Sequence, residues 1–114
     1  MEKKYKTLRD FYPFYLTEHQ DFTCRTLHFI GTTGFLFLLF YAIFSQTWWL
    51  LALAPVSGYG FAWVGHFVFE KNRPATFTYP AFSLVSDFIM YFHIITLQIG
   101  RKMEEARKII GDQA

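Results

Sequence analysis

Between Thr26 and Phe69 the chain carries no Asp, Glu, Lys or Arg. That run is about twice the roughly 20 residues that a helix needs to cross a bilayer, so two antiparallel spans account for it better than one. A soluble chain of 114 residues could not hide such a stretch, because small domains leave much of their surface in water. The apolar share of 53% and aromatic share of 22% exceed ordinary soluble usage, as burial in lipid requires. The expected fold class is an all-α integral membrane protein in which an interfacial N-terminal helix precedes a transmembrane helical hairpin and a third membrane helix. A single membrane domain over residues 1–114 is expected.

Within that domain, Tyr5, Leu8, Tyr12 and Tyr15 recur at helical steps and give residues 1–25 an aromatic face suited to the interface, interrupted near Pro13. Asp21 or Thr23 can cap the next helix. Span one is expected over 26–45. The polar break Ser45-Gln46-Thr47 and the interfacial residues Trp48 and Trp49 then open span two over 48–69, kinked at Pro55. Span three is expected over 81–100, after Pro80, with a polar tail over 101–114. Basic residues precede span one (Lys3, Lys4, Lys6, Arg9, Arg25), follow span two (Lys71, Arg73) and follow span three. Three full crossings cannot place all of them on one side. Either the bias breaks at the C-terminus or the third helix, which carries Asp87, is tilted or re-entrant; a full third span is the expectation. No secretory signal is apparent and span one is expected to be retained. The lone Cys24 excludes an internal disulfide framework, and a net charge of +2 argues against nucleic acid as a partner.

The histidines carry the chemistry. His28 lies near the start of span one and His66 near the end of span two, so a hairpin returns both to one membrane face, with His19 just outside it. Asp87 sits roughly 10 Å into the third helix from the same face. Imidazoles with a carboxylate suit iron(II), zinc or manganese, and two histidines with a carboxylate and open positions form the pattern of non-haem iron oxygenases. Ala54, Gly58, Ala62, His66 and Glu70 follow at steps of four, a stripe whose small residues allow close helix packing. Ionisable groups at its end suggest a site, the alternative being a simple His66–Glu70 hydrogen bond. His93, about 240° around the helix from Asp87, is expected to be structural. Lys71 and Arg73 can hold an acidic headgroup or a substrate carboxylate, or can simply flank the membrane.

The strings Phe11-Tyr12-Pro13-Phe14-Tyr15-Leu16, Leu27-His28-Phe29-Ile30-Gly31-Thr32 and Gly65-His66-Phe67-Val68-Phe69-Glu70-Lys71-Asn72-Arg73-Pro74-Ala75, followed by Ser83-Leu84, resemble one family. It is that of the fungal endoplasmic-reticulum 2-hydroxy fatty acid dioxygenase, and the chain looks like a short bacterial-type member, shorter than the fungal protein between the motif regions. The resemblance implies an iron(II)-dependent membrane enzyme of fatty acid α-oxidation that shortens a 2-hydroxy acyl chain by one carbon. It carries histidine roles onto His66, His28 and His19.

The expected catalytic set is therefore His19, His28, His66 and Glu70, the last as a further ligand or as the partner that fixes an imidazole. The metal ligands are drawn from these and Asp87, the cofactor is Fe(II), and Lys71 and Arg73 are the expected substrate-binding residues. The expected partners are a lipid or fatty acid substrate and the membrane itself, with a homo-oligomer left open. The location is the inner or cytoplasmic membrane in a bacterium and the endoplasmic reticulum in a eukaryote. The alternative is a non-catalytic small membrane protein that binds lipid or partner helices and predicts no stoichiometric metal.

Overall fold

The structure is a computed structural model that describes residues 4–113; residues 1–3 and 114, at the outer ends of the expected interfacial segment and polar tail, lie outside it. The described residues form helices without strands: α1 (Leu8–Thr17), α2 (Phe22–Ser45), α3 (Leu53–Val64), α4 (Pro80–Ile95) and α5 (Ile99–Gln113). A 3-10 turn (Trp48–Ala52) leads into α3 and a π-helical turn (Gly65–Glu70) extends it, so Trp48–Glu70 is one apolar rod of 23 residues. It pairs with α2, which has 24 residues, and both are long and apolar enough to cross a membrane. Their outward side chains are apolar: Phe37, Phe44, Trp49 and Val56 are all more than half exposed. In water this would be an aggregation surface, whereas in lipid it is an ordinary one.

Local chemistry sets the helix ends. Thr7 caps α1 by accepting from Asp10 N at 3.2 Å, and Asp21 caps α2 by accepting from Cys24 N at 2.9 Å. Gln46, at φ 57°, closes α2 in the left-handed region, and Thr47 N–H reaches back to the Ala42 carbonyl at 3.0 Å. The break expected near Pro13 does not occur, since α1 runs through it.

The hairpin packs through glycines, although not through the one the small-residue stripe singled out. A Cβ on Gly31 would meet the Ser57 carbonyl oxygen at 2.9 Å, and one on Gly65 would meet Cys24 Sγ at 3.0 Å. Gly58 has ordinary space, its nearest neighbour being Phe35 Cβ at 3.9 Å. Close approach therefore rests on Gly31 of α2 and on Gly65 beside the start of α2. Gly58 lines a cavity instead.

The third apolar helix is shorter than the expected 81–100. Helix α4 ends at Ile95 after 16 residues, about 24 Å of rise against about 30 Å of hydrocarbon. Leu97, at φ 61°, then turns the chain into α5, so the tail expected to be merely polar is an amphipathic helix. Met103 and Ala106 of α5 bury themselves with Phe11, Tyr15, Leu16, Tyr79 and Met90. The end of α4 also returns to α1, where the Tyr12 hydroxyl and His93 Nδ1 are 2.7 Å apart. Arg107 Nε donates to Gln20 Oε1 at 3.0 Å. Arg107 of α5 thus lies beside the segment that follows α1.

Candidate metal centre

The hairpin brings His28, on the second turn of α2, against His66, on the π-helical turn, while the short connection from α1 to α2 lays His19 over both. All three are buried. The Nε2 atoms of His19 and His28 are 3.0 Å apart and those of His28 and His66 are 3.2 Å apart. The rings stand nearly perpendicular to one another, at 77° to 87°. Each imidazole therefore aims a nitrogen at one common point.

The far side of each ring decides what that nitrogen can do. His19 Nδ1 donates to the Tyr15 carbonyl at 2.6 Å. His66 Nδ1 lies 2.8 Å from Asn72 Oδ1, and the Asn72 amide is fixed in that orientation because its Nδ2 donates to the Glu18 carbonyl at 3.1 Å. His28 Nδ1 faces the Asp87 carboxylate at 3.6 Å, and the Tyr15 hydroxyl donates to the same carboxylate oxygen. With the His19 and His66 Nδ1 protons held by hydrogen bonds and the His28 Nδ1 proton turned toward the Asp87 carboxylate, the three Nε2 atoms carry lone pairs and have no donor among themselves. Burial first, then His28 and His66 alongside, hold the His19 imidazole well below the usual histidine range, so it stays neutral. Burial, followed by the Asp87 carboxylate, pushes the Tyr15 hydroxyl well above the usual phenol range, which keeps it a donor.

Three buried lone pairs facing one another repel unless a cation sits among them. Metal–nitrogen bonds of about 2.1 Å at right angles place neighbouring nitrogens about 3 Å apart, close to the spacing found here. The donor set fits a divalent transition metal, and each ligand's other nitrogen is tied, as in established metal sites. The three histidines are close enough to hold a metal ion.

Two expected ligands lie elsewhere. Asp87 stands behind His28, on the Nδ1 side, where it orients the ring. Glu70 accepts from the backbone N–H of Asp21, and the imidazole-fixing role expected of it falls to Asn72. Glu70 follows His66 on the π-helical turn, but its carboxylate is taken up by the Asp21 N–H at the start of α2. Lys71 and Arg73 are exposed and do not line the histidine pocket. Lys71, at φ 58°, ends the helix, and the Arg73 guanidinium lies over the Phe77 ring, 5.2 Å from its centroid. Sequence reasoning missed the site roles of Tyr15 and Asn72, whose contacts to the site span 72 and 6 residues; the helical period marks Tyr15 only as part of an aromatic face, and no periodicity marks Asn72.

Beside the histidines lies a small pocket of about 20 Å³, room for about one small group. A larger apolar cavity of about 220 Å³ shares His28, Tyr59 and Asp87 with it and continues along the helices past Phe35, Gly58 and Phe88.

No curated protein and no solved structure matches the chain. A family model does, described as 2-hydroxy-palmitic acid dioxygenase Mpo1-like, over residues 5–99. This segment contains α1 to α4 and all three converging histidines, and the chain belongs to that family.

Proposed function

We propose that this protein is an iron(II)-dependent membrane dioxygenase that converts a 2-hydroxy fatty acid to the acid one carbon shorter, with His19, His28 and His66 as the metal ligands. The observation that carries the reading is the convergence of three Nε2 lone pairs whose Nδ1 partners are all fixed. Three neutral imidazoles on one side of an ion leave positions open on the other. Bound iron supplies the means of bringing dioxygen and a chelating hydroxy acid together. The remaining work belongs to the protein. The Tyr15 carbonyl, the Asn72 amide and the Asp87 carboxylate keep the Nδ1 protons in place, so that each ligand nitrogen stays a free base. Tyr59 and Trp63 wall the pocket and limit water beside the reacting centre. The site lies at one face of the inner or endoplasmic-reticulum membrane, where an acyl chain is delivered from lipid; the length and apolar character of α2 and Trp48–Glu70 support this reading.

The test is iron content by elemental analysis together with product formation under air, for the wild type, His66→Ala and His93→Ala. His66→Ala is expected to lose both, whereas His93→Ala, whose ring is engaged with Tyr12 away from the cluster, keeps both. A wild type that holds no metal and turns over no hydroxy acid replaces the enzyme reading with a non-catalytic lipid-binding one.

A further inference from the structure

We propose that Ser83 is the substrate-anchoring residue of this site, its hydroxyl donating to the carboxylate of the bound 2-hydroxy acid; this inference rests on the function proposed above. Ser83 is 3% exposed, and its Oγ has no hydrogen-bond partner among the described residues. A buried hydroxyl without a partner is a net cost to the fold, and native structures seldom carry one without a reason. Ser83 lies one turn before Asp87 on α4, so the two share a helix face, and both line the small pocket with His19, His28 and His66. The unpaired donor therefore lines the same small pocket as the converging histidines, where it can meet a carboxylate that reaches a metal held there.

The surroundings agree on the shape of the ligand. The pocket at Ser83 admits a small polar group, and the apolar cavity that shares His28, Tyr59 and Asp87 with it accepts the first part of a hydrocarbon tail. A molecule with a compact acidic head and an apolar chain satisfies both. The basic residues expected for the role, Lys71 and Arg73, are exposed outside the pocket, which leaves the head of the acid to a neutral donor. Ser86 also lacks a partner but does not line this pocket.

The experiment compares the wild type and Ser83→Ala as purified full-length proteins in detergent. Four quantities are read: iron content, melting temperature, the KM and kcat for 2-hydroxypalmitic acid, and the shift in melting temperature when that acid is added without oxygen. Ser83→Ala removes only the hydroxyl, so iron content stays the same and the melting temperature is equal or higher. KM rises about tenfold, the loss expected for one hydrogen bond to a charged acceptor, kcat changes little, and the ligand-induced shift shrinks. An unchanged KM and an unchanged shift overturn the proposal, as does a fall in iron content equal to the loss of activity. If the wild type binds the acid but does not turn it over, the dioxygenase reading fails and Ser83 is judged on the binding shift alone. If the wild type neither binds nor turns it over, both fall.

Discussion

Asn72 Oδ1 accepts from His66 Nδ1 at 2.8 Å while Asn72 Nδ2 donates to the Glu18 carbonyl at 3.1 Å, so one side chain ties the end of the second membrane helix to the segment that carries His19. The amide sets both the tautomer of His66 and the position of its neighbour. Asn72→Ala is expected to lower metal affinity by about 10- to 100-fold with the helical content unchanged. Competition against a calibrated chelator measures this, and an affinity equal to that of the wild type contradicts the assignment.

Glycine substitutions separate packing from cavity. Gly31→Ala pushes a methyl group into the Ser57 carbonyl and is expected to cost about 1–3 kcal/mol, as overpacking does. Gly58→Ala has room beside Phe35 and is expected to be nearly neutral. Thermal unfolding of both variants in one detergent decides it; equal losses would mean that the helices pack differently from the arrangement described.

Met103 is 2% exposed although the C-terminal segment reads as a polar tail. Met103→Ala is expected to destabilise by about 2–5 kcal/mol, the range for truncating a buried large apolar side chain. A loss within experimental error, read from a denaturant titration, would show that α5 does not dock on α1.

Acid should loosen the metal-free protein in a defined direction. Burial, then His28 and His66, lower the His19 pKa in the folded state, so the unfolded chain binds the proton more readily. Stability from this group is full above the ordinary histidine pKa of about 6.5 and falls as the pH drops below it, because protonation then favours the unfolded state. Melting temperature of the metal-free protein is expected to decline from pH 7 to pH 5, and His19→Leu is expected to make that decline shallower. An identical slope in the variant excludes His19 as a source.

Much was settled by the sequence itself. The charge-free run from Thr26 to Phe69 admits little but a helical hairpin in lipid, since a helix satisfies its own backbone without water and the run is about twice the length of one span. The hairpin in turn obliges His28 and His66 to meet, because each lies at the same depth from the turn. Asp21 was legible as a cap because a side-chain oxygen three residues before a free N–H is a local rule. What only the tertiary structure decided depends on contacts between distant elements or on a change of winding. The end of α4 is one case: apolar residues continue past Ile95, yet the helix stops there and its face docks on α1 through Tyr15–Asp87 and Tyr12–His93. The partner of Glu70 is another: a four-residue step marks it as a neighbour of His66, yet its carboxylate accepts from the Asp21 N–H, a contact across 49 residues that no side-chain pattern announces. The imidazole partners Asn72 and Tyr15, and the unpaired hydroxyl of Ser83, are defined by what surrounds them in space, which a one-dimensional spacing does not contain.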